Sequence, residues 1–340
     1  MKIKKIIQYI IFFSIGVFIF WWIYKDLPIE ELKSVLRELK YEWIVLSIIF
    51  GITAHFSRAL RWNMLIHPLG YRPKKINSFL AVLILYMTNL IIPRAGEVAR
   101  CTVLAKYEHI PASKLIGTVV IERFADVIAL FSLAIVIMLT NLEVVSRFFE
   151  THPAIYENIL KFLSLKYLLA GAGLLVIFFV LLIIFRSKLK KNRIVQKIIQ
   201  LKNEFVEGIK SISRLKNTWA FIGHTIFIYL MYLLMLYVVF FAYEPTAHLS
   251  LRVALVTFLM GGLAMLAPVQ GGIGPWHFMV IETLILYGIN VNQGKFFALI
   301  AHTSTNLIYL VIGVGAFILL PIINNSKNAE KRKQLKTTKA

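Results

Sequence analysis

The 340-residue sequence has one cysteine, Cys101. That excludes an internal disulfide, a cysteine metal cluster and a thiol redox pair, and it leaves Cys101 to fill space. No Gly-x-x-x-x-Gly-Lys-[Ser/Thr] loop occurs, so an ATP-driven pump is excluded. The G-x-S-x-G, H-E-x-x-H and kinase patterns are also missing. No stretch is long and polar enough to form a separate soluble catalytic domain, and no cofactor is implied. Acidic residues are scarce, 17 against 38 Lys and Arg, giving a formal charge of +21. Nucleic acid is one partner that such a balance suggests, but in a chain this apolar the basic residues read as cytoplasmic loops of a membrane protein.

What is present is hydrophobic sequence. It makes up 59% of the residues, with a mean hydropathy of +0.74, more apolar surface than a soluble domain can hide. Runs that approach or exceed the ~20 residues needed to cross a bilayer lie at about 6–24, 43–66, 115–140, 166–185, 219–243 and 295–322. The first follows Met1-Lys2-Ile3-Lys4-Lys5 but is too long for a signal h-region and has no small-x-small cleavage site after it. It therefore reads as a retained helix. The predicted class is an all-α polytopic protein of the cell membrane.

Two regions, 76–110 and 251–290, break partway. Pro93-Arg94-Ala95-Gly96-Glu97 interrupts the first, and Pro268-Val269-Gln270-Gly271-Gly272-Ile273-Gly274-Pro275 the second. Backbone exposed to lipid cannot break like this, because unpaired N–H and C=O groups cost several kcal/mol there. Each break must be buried in protein or line a wet cavity, and paired interruptions in two half-chains point to a transporter's binding site. Read as re-entrant hairpins, they put both termini inside. The basic segments 1–5, 67–75, 186–217 and the tail after 322 then all face the cytoplasm; 186–217 alone has ten Lys and Arg against Glu204 and Glu207.

This topology divides a membrane domain, 1–323, into two inverted units of about 43–140 and 219–322. A basic linker, 186–217, joins them, and 324–340 is expected to be a disordered basic tail. Ile194, Ile198, Leu201, Phe205, Ile209 and Ile212 recur at mixed 3–4 spacing in the linker. That fits a helix lying on the anionic leaflet or a solvated helical connector.

Charges inside apolar runs are costly and mark candidate sites. Arg94 stands at the first break, with Glu97 and Arg100 i,i+3 after it. A helix restarting after Gly96 would offer an anion-binding N-terminus, and a plain Arg–Glu pair holding the hairpin tip is the structural alternative. Glu122 and Asp126, i,i+4 beside Arg123, could share a proton or tie the span to the hairpin. His55, Arg58 and Arg61 form one stripe with Trp62. Arg58 is the deeper phosphate candidate, and Arg61 can snorkel to headgroups. In unit two the polar set is Gln270, His277, Glu282, His302 and Asn306. Its spacing argues for hydrogen bonding across the bundle rather than a metal site.

Arg58-Ala59-Leu60-Arg61-Trp62, the sequence from Asn89 to Glu97, Glu122-Arg123-Phe124-Ala125-Asp126 and Pro268 to Gly274 together resemble the membrane domain of lysylphosphatidylglycerol synthase and its stand-alone, flippase-like relatives. The likeness covers roughly 5–320. It implies movement of aminoacylated phosphatidylglycerol between leaflets, with a separate cytosolic domain adding the amino acid. That domain is expected to be missing here, and synthase activity with it. The family's second break commonly reads Pro-x-Pro-Gly-Gly-x-Gly and then reaches a Glu. Here Gln270 replaces the second Pro and His277 stands near the expected Glu, which points to a different headgroup. The expected function is translocation of an anionic or modified phospholipid, or of a polyprenyl-phosphate lipid. A membrane glycosyl- or phosphotransferase using Glu122 and Asp126, and a non-transporting partner of a lipid-synthesis enzyme, are the alternatives.

Overall fold

In lipid a backbone must satisfy its own hydrogen bonds, and the helix does this within one segment. The computed structural model describes residues 14, 16–143, 203–265, 267 and 269–337, with isolated positions between 146 and 161; side chains are described as far as Asn325 except at Met138. No strand occurs among the described residues. A short amphipathic helix, α1 (Ile29–Glu38), follows a helical stretch at 16–24. Then come α2 (Tyr41–Ile66), α3 (Lys75–Ile91), α4 (Gly96–Glu108) and α5 (Ala112–Thr140). The second half supplies α6 (Thr218–Phe240), α7 (Leu251–Ala264), α8 (Pro275–Leu286) and α9 (Val291–Thr337).

Three of these helices are long and apolar enough to cross a bilayer: Tyr41–Leu69, Thr218–Phe240 and Val291–Asn325. They correspond to the expected runs 43–66, 219–243 and 295–322. The 29-residue α5 covers 115–140. The run 166–185, residues 6–13 and 15 of the first run, and Pro268 lie outside the described residues.

Both breaks fall where the sequence places them. At the first, α3 ends at Ile91 and Arg94 takes a left-handed φ of 59° before α4 starts at Gly96. Asn89 Oδ1 accepts the Gly96 N–H at 2.8 Å, satisfying one of the helix's free donors. Gly96 is required here because a Cβ would run into the Leu85 carbonyl and the Asn89 amide. At the second break, Gly271, Gly272 and Gly274 have φ of 55°, 78° and 90°, a region that L side chains adopt only at a cost. The N-terminal stretch covers this break: Gly16 and Ile19 lie against Gly274, and Phe20 and Tyr24 set their rings against His277.

The halves interlock reciprocally. α2 and α6 pack antiparallel: the Lys40 N–H donates to the Ala242 carbonyl, Ser47 to the Met235 carbonyl, and Ser57 bonds His224. α3 packs antiparallel on α9, from Asn77 with Asn324 to Tyr86 with Tyr309. α7 packs antiparallel on α5, from Arg252 with Asn141 to Gly262 with Leu130. The first helix of each broken pair thus lies on the last long helix of the opposite half. One core cluster, around Phe240, Phe296 and Phe297, unites α6 to α9, and a second, around Trp62, Cys101 and Leu104, unites α2 to α5.

The described part of the linker docks on α5. Gly117 and Gly208 bring the two backbones together, Ser113 bonds Glu204, and Lys114 pairs with Glu207 at 2.8 Å. That last hydrogen bond raises the Lys114 ammonium above its ordinary pKa. The expected disordered tail instead continues α9 as helix to Thr337. Its run of Lys, Glu, Ala, Arg and Gln is polar but made of strong helix formers.

Candidate functional site

The polar stripe on α2 faces the acidic face of α5. Arg58 reaches Glu122 and Asp126, both at 3.1 Å. Arg61 holds Asp126 at 2.6 Å and Glu122 at 3.5 Å, and also donates to Thr225 on α6 at 2.9 Å. From α4, Arg100 bridges Glu97 at 2.9 Å and Glu122 at 3.1 Å, with its guanidinium stacked 4.5 Å from the Trp62 ring centroid. Trp62 is fixed in turn by its bond to Thr118 at 2.9 Å. Arg123 touches Glu97, Glu122 and Asp126. Glu122 is wholly buried at the centre, whereas the Arg123 side chain is 40% exposed.

In this cluster four guanidinium groups meet three carboxylates, leaving one positive charge in excess. Such a group is stable only when nearly every lone pair and N–H finds a partner. The sequence-predicted Arg58, Glu97, Arg100, Glu122, Arg123 and Asp126 all belong to it. Arg61 corrects the snorkelling expectation: it is fully buried, because Asp126 and Thr225 supply partners that headgroups would otherwise provide. Arg94 is exposed at the tip of the first break.

The unit-two residues assemble separately, around the second break. His302 donates through Nε2 to the Gly271 carbonyl at 2.8 Å, and its Nδ1 accepts from Asn306 at 3.0 Å. His277 is 1% exposed, with its ring 4.4 Å from that of His302, and Gln270 is buried in the turn. Glu282 is not part of this group; it lines a depression elsewhere with Lys25, Asp26 and Lys295.

Between the two groups lies a cavity of 390 Å³. Tyr86, Asn89 and Leu90 line it from the end of α3, and Gly271 and Trp276 from the second break. Tyr229 and Tyr232 on α6 and His302, Thr305, Asn306 and Tyr309 on α9 complete its polar wall. The end of α3, just ahead of the first break, adjoins the second break here: a Cβ at Gly271 would stand 3.0 Å from the Leu90 side chain. Tyrosines separate cavity from ion cluster. Arg58 lies over the Tyr232 ring at 5.9 Å, and the Tyr232 hydroxyl meets those of Tyr86 at 2.6 Å and His55 Nδ1 at 3.3 Å. Tyr229 donates to the Asp126 carbonyl at 2.8 Å. Tyr229 also lines an apolar groove of 570 Å³ between α5 and α6, whose walls include Ile128, Val136, Ile226 and Leu230.

Sequence reasoning missed Asn89, Tyr86, Tyr229, Tyr232, Trp276 and Tyr309. A tyrosine in an apolar run reads equally as an interface anchor, and only the rows Tyr229/Tyr232 and His302/Asn306 hint at a polar face.

Broken helix pairs interlocked with long apolar helices, around a buried ion cluster and a cavity, define a helical membrane protein. The chain belongs to the family described as the lysylphosphatidylglycerol synthase TM region, whose model matches residues 6–313. It is similar to a UPF0104 membrane protein of Methanocaldococcus jannaschii, 26% identical over 305 residues that cover 86% of this chain and 89% of that one. No solved structure matches the chain.

Proposed function

We propose that the chain is a lipid translocase that carries an anionic or modified phospholipid, or a polyprenyl-phosphate lipid, between leaflets. The headgroup occupies the cavity between the end of α3 and the second break, and the acyl chains stay in the apolar groove that shares Tyr229 with it. That juxtaposition is the observation on which the proposal rests. A cavity that carries polar groups beside an apolar groove, with Tyr229 in the wall of both, suits an amphipathic lipid.

At ~1.5 Å per residue, the 13 residues of α4 and the 12 of α8 fall short of a ~30 Å hydrocarbon core. They fit re-entrant hairpins in a chain of about six full spans with both ends inside. The antiparallel α2–α6 contact and the reciprocal α3–α9 and α5–α7 contacts support inverted repeats, the arrangement in which two halves rock about a central site.

The surplus positive charge of the ion cluster draws phosphate toward the cavity. Arg94 at the break tip and the exposed face of Arg123 supply direct guanidinium contacts. Glu97, Glu122 and Asp126 fix the arginines. All three carboxylates are held by guanidinium groups, which favours the translocase reading over a transferase using Glu122 and Asp126.

The test is leaflet exchange of acyl-labelled phospholipid by the full chain in liposomes, wild type against Arg94→Gly. Glycine relieves the left-handed φ of 59°, so the backbone of the break is kept. Exchange should nevertheless fall at least about tenfold with the charge gone. Wild-type exchange by a well-folded Arg94→Gly protein would overturn this role for the first break.

A further inference from the structure

We infer that the cavity selects a headgroup that is itself neutral and rich in hydroxyls, carried on an anionic phosphate, and that it rejects a cationic aminoacyl headgroup. The inference rests on the translocase reading of the same cavity and names the cargo class.

Among the described residues that line the cavity there is no Asp, Glu, Lys or Arg. A cationic amine drawn out of water would therefore meet no counter-ion there, and a buried charge without a partner is strongly penalised. The nearest carboxylates of the ion cluster lie behind the tyrosine wall, where arginines already engage them. The cluster's excess charge is positive, so its field repels an ammonium and favours a phosphate.

What the cavity does offer is neutral, an apolar wall that includes Leu90, Leu130, Met235, Leu236 and Phe258, with polar groups set into it. Asn89 and Asn306 bring amides, Thr305 and the tyrosines hydroxyls, and Trp276 and Tyr309 flat aromatic faces. Amides and hydroxyls both give and accept hydrogen bonds, the match for glycerol or sugar hydroxyls. Trp276 is held in place by His302, its ring centroid 4.9 Å away. His302 is itself fixed by Gly271 and Asn306, so the aromatic face is set before a ligand arrives.

The experiment uses the full chain in phosphatidylcholine liposomes with trace acyl-labelled phosphatidylglycerol or acyl-labelled lysylphosphatidylglycerol. Phosphatidylglycerol should exchange at least about tenfold faster. Equal or faster exchange of the lysyl lipid overturns the inference and leaves the translocase reading standing. If neither lipid exchanges, the translocase reading falls. The headgroup inference is then decided by native mass spectrometry of the chain offered both lipids: preferential retention of phosphatidylglycerol supports it, and preferential or equal retention of the lysyl lipid overturns it. Asn306→Asp places a carboxylate in the cavity and should shift the preference toward the lysyl lipid by about tenfold, with Thr305→Glu as a second site for the same charge. If both charged variants fold and neither shifts the preference, selection happens elsewhere and the inference fails.

Discussion

Glu122→Gln should destabilise the protein by about 3–5 kcal/mol, the cost of removing one partner from a buried ion group. Glu122 is fully buried and touches Arg58, Arg61, Arg100 and Arg123 within 3.5 Å. Gln has nearly the same shape, so the loss is of charge and not of packing. Four guanidinium groups would then share Glu97 and Asp126. Removing Arg100 as well should recover part of the loss, because residues in one network are not additive. The double variant Glu122→Gln/Arg100→Gln is therefore expected to be less destabilised than the two single effects added together. Heat or detergent unfolding of the purified protein measures both. A Glu122→Gln protein within about 1 kcal/mol of wild type would mean that the cluster behaves like a solvated surface pair.

The second large effect is expected at the first break. Gly96→Ala places a methyl against the Leu85 carbonyl and 2.7 Å from Asn89 Oδ1, the atom that accepts the Gly96 N–H. α4 has to move off α3, and its N-terminal cap is lost with the contact. Overpacking and a lost cap together cost about 2–4 kcal/mol. Gly223→Ala is the control. It lies inside α6 with open space where the methyl would go, so it should raise stability by about 1 kcal/mol through helix propensity. If the two substitutions gave the same result, the tight approach of α3 and α4 would be wrong.

Much of the fold was legible because its causes are local. Pro93 with Gly96, and Gln270 to Gly274, interrupt apolar runs with residues that cannot extend a helix or that take positive φ. The ion cluster was legible because a charge inside such a run has few reasons to be there. The Glu97–Arg100 pair was legible from its i,i+3 spacing, but the partners on other helices were not. Whether Arg61 snorkels or is buried depends on Asp126 and Thr225, which are distant in sequence, and spacing along α2 does not reveal them. The same limit hid the docking of 203–214, which needs Gly117 and Gly208 to face each other. The cavity's tyrosines were missed because Tyr86 and Tyr232 have the composition of interface anchors and become a wall only when α3 meets α6. The tail beyond 324 shows a different error: basic and polar composition predicts contact with water, not the absence of helix.

The family match fixes the class of protein, and the geometry supplies what the class does not, a division of labour between two polar sites. The arginine-rich cluster ties α2, α4 and α5 together through Glu122 at its centre, with its exposed edge at Arg123. The neutral cavity holds the groups that can still recognise a ligand. The proposed translocase would use both: one to keep short helices anchored around a break, the other to admit a headgroup.

Filling the cavity tests this most directly. Thr305→Trp puts an indole into the 390 Å³ space from a helix face that touches none of the ion cluster's residues in the contacts described above. Leaflet exchange of acyl-labelled phosphatidylglycerol by the reconstituted variant should drop at least about tenfold while the unfolding midpoint stays near wild type. Undiminished exchange through a protein whose cavity is plugged would show that lipid headgroups travel by another route.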